Sequence, residues 1–428
     1  MNKLALIHSR IAALAVLAGL LLAGPVHASY PLSVGCPWYP KPINKYTKNI
    51  GYLDAYATYP SADLPDAAER DGVTVTVHGT FPKIAYFSFQ MADGFKLGNL
   101  YDQIADWQLI SDQGIGPGAD PAALPPARMN GDNQTYTLTI RFEDLPQPPA
   151  VRQPNTLYAG AHKTSFHTRE LVMRLYLPDA GADPLGDVPL PTLTYNGPKG
   201  TIDFNDTPDM TTCYALFAGI SVVDTLVVPA VASPVLWFAP VSVLDRTFGL
   251  YPNGDSNYLR AQPSLRYGPL VVVHSRAPSF PQPPPAAEVT DPQVRYWSLC
   301  QNQLINTRNV DCIADRDMLI QDDGTFTAVI SPPAQRPSTA DAAHGINWLD
   351  WGPSQSAFVV IRQILASPGF AGDYAKAVAQ PFTPVKDTLG DWAPEITYCD
   401  QATFDAHSAE GGTAVFEACK AAFPGRVN

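Results

Sequence analysis

A chain that repeats one ordered set of features in each half is constrained to fold as two related domains. Here six features recur in the same order. An apolar strand ends in His at Val73–His78 and again at Val271–His274. An aromatic-Ser segment follows, Tyr86-Phe87-Ser88-Phe89 and Tyr296-Trp297-Ser298-Leu299. Ile104-Ala105-Asp106 is answered by Ile313-Ala314-Asp315, and the alternating run Tyr136–Ile140 by Phe326–Ile330. The turn Asn155–Gly160 matches Asn347–Gly352, and the last strand of each set carries an Arg, Arg174 or Arg362. Period-2 alternation in Val, Ile, Thr and aromatic residues, broken by Gly, Pro and Asp clusters, is the pattern of β-strands. The 43 prolines argue the same way, because Pro sits at strand edges and turns but breaks helix interiors. The expected fold is mainly β: two tandem, duplicated β-sandwich or jelly-roll-like domains with a short C-terminal helical tail.

The expected boundaries are a signal peptide over 1–28, a Pro- and Tyr-rich lead-in over 29–69, and a first β domain over 70–195. A bridge over 196–224, a second β domain over 225–368 and a tail over 369–428 complete the chain. The signal reading rests on Lys3 and Arg10, the apolar run Ile11–Ala23 and the small residues of Val26-His27-Ala28. That run is shorter than the roughly 20 residues a spanning helix needs, so no membrane span is expected in the mature chain. Loss of Lys3 and Arg10 leaves 26 basic against 40 acidic residues, a net of −14. So acidic a body does not attract nucleic acid or anionic lipid. The expected location is periplasmic or extracellular.

Export fits the six cysteines, an even number in an oxidising compartment. Proximity pairs Cys300 with Cys312 and Cys399 with Cys419, which leaves Cys36 with Cys213. No Cys or His spacing suits zinc, so neither a metal nor a cofactor is expected. Residues 401–422 read as helical, with Phe404, Phe416 and Cys419 facing inward.

The segments Asn347-Trp348-Leu349 and Arg174-Leu175-Tyr176-Leu177-Pro178, with the upstream Tyr296-Trp297-Ser298, resemble a family of uncharacterised exported bacterial proteins. In that family an Asn-Trp-Leu-Pro turn precedes an Arg-Leu-Tyr-x-Pro strand. Asp350 stands where the family has Pro, and Thr156 replaces the Trp in the first copy. The resemblance implies export and duplicated β domains, and it transfers no activity.

Several residue groups have chemistry to weigh. Arg174 and Arg362 lie in otherwise apolar strands, where a guanidinium needs a partner. Repeat position nominates Asp106 for Arg174 and Asp315 for Arg362, as one internal structural pair per domain. His78 and His274 read as matching structural histidines at strand ends. Ser88 and Ser298 lack the Gly-x-Ser-x-Gly elbow of a hydrolase nucleophile. His162 and His167 lie in the long 143–170 loop, at a spacing unlike that of a zinc protease. With Trp107, Trp348, Asp350 and Trp351 they form the candidate ligand-binding set. The favoured function is an exported protein that binds a small amphipathic or saccharide-like ligand in a loop-lined or interdomain cleft. An exported hydrolase or lyase using loop His or Asp residues is the alternative, and an envelope structural or assembly protein is a third. Catalysis and oligomeric state stay open.

Overall fold

The computed structural model describes residues 38–39, 42–64, 72–93, 100–129, 133–148, 150–161, 169–198, 200–203, 234–241, 253–282, 289 and 291–423. The first half contributes β1 (Ala57–Thr58), β2 (Ser61–Leu64), β3 (Thr74–Thr80), β4 (Ile84–Asp93), β5 (Leu100–Ala105), β6 (Thr135–Arg141), β7 (Thr156–Tyr158), β8 (Arg169–Pro178), β9 (Thr192–Gly197) and β10 (Gly200–Asp203). The second contributes β11 (Ala239–Pro240), β12 (Ser256–Ala261), β13 (Leu270–Arg276), β14 (Val294–Gln303), β15 (Asn309–Ala314), β16 (Thr325–Ser331), β17 (Ile346–Asp350), β18 (Ala357–Ala366) and β19 (Glu395–Cys399).

These strands form two sandwiches with one topology. The first pairs a sheet ordered β1-β8-β4-β5, with β2 also on β8, against a sheet ordered β10-β9-β3-β6-β7. The second pairs β11-β12-β18-β14-β15 against β17-β16-β13-β19. The duplication extends to register. Ser88 is opposite both Arg174 and Ala105, as Ser298 is opposite Arg362 and Ala314. In each half one strand pair is parallel, β6 with β7 and β16 with β17. Asn155 and Asn347 brace equivalent turns: each side-chain amide donates to two carbonyls, Ile110 and Thr137 or Leu319 and Thr327. The turn glycines Gly160 and Gly352 have φ of +76° and +77°, a region that disfavours side chains. Leu177 and Leu365 hold matching positive φ values of 54° and 49°, rare for a branched residue, so their surroundings impose the conformation.

Burial explains the composition of each strand. In β3 Val75 and Val77 face the sandwich core while the threonines face outward, so the strand alternates. Its counterpart β13 reads Leu-Val-Val-Val because both faces are covered. Val271 and Val273 enter the second sandwich core, and Leu270 and Val272 lie under the C-terminal helices Gln401–His407 and Gly412–Ala422. Phe404, Phe416 and Cys419 are buried there, as expected, and Cys399–Cys419 ties the second helix to β19.

Three boundaries differ from expectation. β9 and β10 carry the first sandwich into the segment read as a bridge. The tail is not purely helical, because β19 is an edge strand on β13. The repeated segment Ile104-Ala105-Asp106 leaves its strand at Ala105, where Asp106–Gln108 makes a 3₁₀ turn.

The strands β4, β8, β14 and β18 are buried on both faces because the two sandwiches dock back to back. Tyr86, Val172 and Tyr176 meet Tyr296, Ala314 and Ile364 in a core of their own between the halves. Each lead-in reaches across this contact. The segment before β1 places Asp54 against the second half, and the segment before β12 places Asn253 and Asp255 against the first. Tyr86 donates to Asp255 just as Tyr296 donates to Asp54, so the halves exchange equivalent loops about a pseudo-twofold axis.

Candidate functional site

The ionisable residues in this inter-half layer define the candidate site. β14 carries Arg295 to Asp106 of the other half, where one guanidinium nitrogen lies 2.9 Å from each carboxylate oxygen. Arg295 also donates to the Pro121, Ala122 and Ala85 carbonyls. Arg362 on β18 pairs with Asp54, which further accepts from Tyr296 and Ser298. Arg174 donates from Nε to Gln90 at 2.7 Å and lies over the Tyr59 ring.

The expected Arg–Asp pairing within each half is therefore corrected. Asp106 pairs with Arg295 and not Arg174, and Arg362 pairs with Asp54 and not Asp315. The reason is geometric. Arg174 and Arg362 sit on the outer faces of their sandwiches, which the opposite half covers. Asp106 and Asp315 sit in turns at the ends of β5 and β15, where each carboxylate accepts two backbone N–H groups, Phe87 and Trp107 or Trp297 and Arg316.

Asp315 differs from Asp106 in one respect. The strand position that supplies Arg295 in the second half is Ala85 in the first, as the registers of Tyr86 and Tyr296 show. Among the described residues no guanidinium pairs with Asp315. It is 2 % exposed, and burial pushes its carboxyl up to about 8. The two backbone donors and Arg316 pull it down, and Asp54 adds to the rise. A crevice opens at this point between the halves, lined by Ala85, Leu124, Leu177, Phe280, Arg316 and Asp315 among others. Its internal volume of about 20 Å³ is room for one water or a small head group, and not for a drug-sized ligand.

The aromatic candidates do not converge. Trp351 is fully buried in the second sandwich core and donates to the Ser354 carbonyl, so its assignment to a ligand surface is corrected: no ligand reaches it. Trp348 is half-buried beside the C-terminal helices, bonded to Ser331 and stacked by Arg336. Trp107 packs at the edge of the inter-half core. Asp350 accepts from Gly352, and its own N–H donates to Asp311. His162 and His167 lie outside the described residues. His78 and His274 each contact a cross-strand Thr, Thr137 at 3.2 Å and Thr327 at 2.9 Å, and the exposed His78 also lies 3.5 Å from Asp112. His274 also stacks on Phe416.

Cys300–Cys312 and Cys399–Cys419 are disulfides, and Cys36 and Cys213 lie outside the described residues. Asp54 and the sulfurs of Cys300 and Cys312 lie within 4.8 Å of one another, but the sulfurs are bonded to each other and supply no thiolate. Among the described residues no helix is long and apolar enough to cross a membrane.

Sequence reasoning missed Arg295, Asp54, Asn253 and Asp255. One signal was present: Arg295 interrupts an apolar strand just as Arg174 and Arg362 do.

No protein-family profile matches the chain, and a comparison with curated proteins returns no match. Solved structures similar to it include an uncharacterised protein from Burkholderia cenocepacia, 16% identical over 80% of this chain and 81% of that one, with a TM-score of 0.47. Another is a protein from Vibrio parahaemolyticus, 12% identical over 88% and 94% of the two chains, with a TM-score of 0.39.

Proposed function

We propose that this is an exported binding protein whose ligand site is the crevice between its two halves. The observation that carries the reading is the crevice itself. It lies between the halves beside a carboxyl that, among the described residues, is buried without a counter-ion. Buried ionisable groups are normally paired, and departures from that pattern cluster at functional sites. The disulfides and the N-terminal apolar run support export into an oxidising compartment. The remaining buried charges act as struts between the halves and hold the crevice walls in place, the preorganisation that binding sites require.

A thermal-shift screen of the mature protein against sugars, aromatics, lipid head groups and amines tests this reading, with Ala85→Leu as the variant that fills the crevice. Ligands that raise Tm in the parent should lose their effect in Ala85→Leu while the fold survives. Shifts that persist in a folded Ala85→Leu protein would place the site elsewhere.

A further inference from the structure

The pseudo-twofold axis relates one filled position to one open position. On one side, Arg295 from β14 caps Asp106 of the opposite half. On the other, β4 presents Ala85 toward Asp315, and the crevice lies where the matching guanidinium would be. The two carboxylates are alike in their remaining bonds. Asp106 accepts Phe87 N–H at 3.3 Å and Trp107 N–H at 2.7 Å, and Asp315 accepts Trp297 N–H at 3.1 Å and Arg316 N–H at 2.8 Å. With those bonds made, Asp106 still takes a guanidinium on both oxygens. Asp315 retains the same acceptor capacity.

The geometry points to Asp315 as a receptor for a cationic head group, guanidinium or primary ammonium, that enters the crevice and occupies the place Arg295 fills beside Asp106. This rests on the reading that the crevice is the binding site.

The surrounding charges permit it. Arg295 also lines the crevice, but its charge is held by Asp106. The Arg316 guanidinium donates to the Pro178 carbonyl and lies 3.8 Å from Asp317. Asp179, a third wall residue, pairs with Arg128, and Asp54 pairs with Arg362. Among the described residues Asp315 is thus the crevice carboxyl without a salt-bridge partner. The apolar walls, Leu124, Leu177, Phe280 and Pro281, lower the local polarity and strengthen a charge-assisted bond. The small volume admits a head group alone, so the rest of the ligand must lie outside. The net acidity of the chain favours approach of a cation.

Titration of the full mature protein with methylguanidinium, read by calorimetry, tests the inference. Saturable binding is expected, weakened at least tenfold in Asp315→Asn. Ala85→Arg, which rebuilds the missing guanidinium from within, should abolish binding and raise Tm. Because the carboxyl must ionise to bind, affinity should rise about tenfold per pH unit between pH 6 and 7 and level off above about pH 8. At pH 6 binding should release about one proton, seen by comparing buffers of different ionisation enthalpy. No binding at pH 9, or binding unchanged in both variants, would overturn the inference. If neutral ligands still bind in a way that Ala85→Leu blocks, the crevice reading survives and the cationic assignment alone fails. If nothing binds the crevice, both fail.

Discussion

Arg295→Ala is the substitution whose cost follows most directly from the docked halves. Its guanidinium is fully buried and touches Asp106, itself 2 % exposed, together with three carbonyls. Removing one member of a buried pair strands the other, at a cost of about 3–5 kcal/mol. The orphaned carbonyls at Pro121, Ala122 and Ala85 would add about 1–3 kcal/mol each if they stayed dry, and little once water enters the vacated space. With that space hydrated and the backbone bonds to Asp106 kept, about 4 kcal/mol is expected at pH 7. Burial already raises the Asp106 carboxyl, against the pull of Arg295. Without Arg295 it rises further, and a raised folded-state carboxyl loses stability as pH increases. The defect should therefore be smaller at pH 5 than at pH 8. Urea melts of the parent, Arg295→Ala, Asp106→Asn and the double variant give the coupling energy, expected at about 2 kcal/mol or more. The same cycle on Arg174 and Asp106 should give less than about 0.5 kcal/mol. An Arg295→Ala cost under about 1 kcal/mol, or strong coupling of Asp106 to Arg174, would show that Arg295 does not hold Asp106.

Other substitutions separate structural from exposed positions. Trp351→Ala should cost about 3–5 kcal/mol in a denaturant melt, because it empties the second core. Asp315, raised to about 8 in the folded protein, contributes stability that is present below about pH 4 and is lost as pH climbs to about 8. Parent stability measured relative to Asp315→Asn should therefore fall across that window, by up to about 1.4 kcal/mol per pH unit. Replacing both Cys399 and Cys419 with Ala should lower stability by about 3 kcal/mol, since their bridge spans 20 residues of chain.

The fold was legible because duplication and alternation are both local in sequence. Val75 and Val77 mark one buried face, and the unbroken Leu270–Val273 run marks a strand covered on two. The two nearest cysteine pairs were legible for the same reason: short separations closed them correctly. What could not be read was the docking of one half on the other. A repeat assigns partners within its own copy, so Asp106 pointed to Arg174. The pseudo-twofold contact instead brings Arg295 across 189 positions to Asp106, and Asp54 across 308 to Arg362. Asp54 also lies in the lead-in, outside the repeated features, where nothing in the residue pattern marks it as buried. Trp351 misled for a related reason. The turn after β17 resembles an exposed loop in sequence, but Leu349 and Trp351 alternate inward with the strand.

The exchanged loops should weld the two sandwiches into one cooperative body, which differential scanning calorimetry of the mature protein would reveal. A single transition is predicted, with a calorimetric to van't Hoff enthalpy ratio of about 1, and it should resolve into two when Asp54 and Asp255 are both changed to Ala. Two well-separated transitions in the parent protein, unaltered by those substitutions, would contradict it.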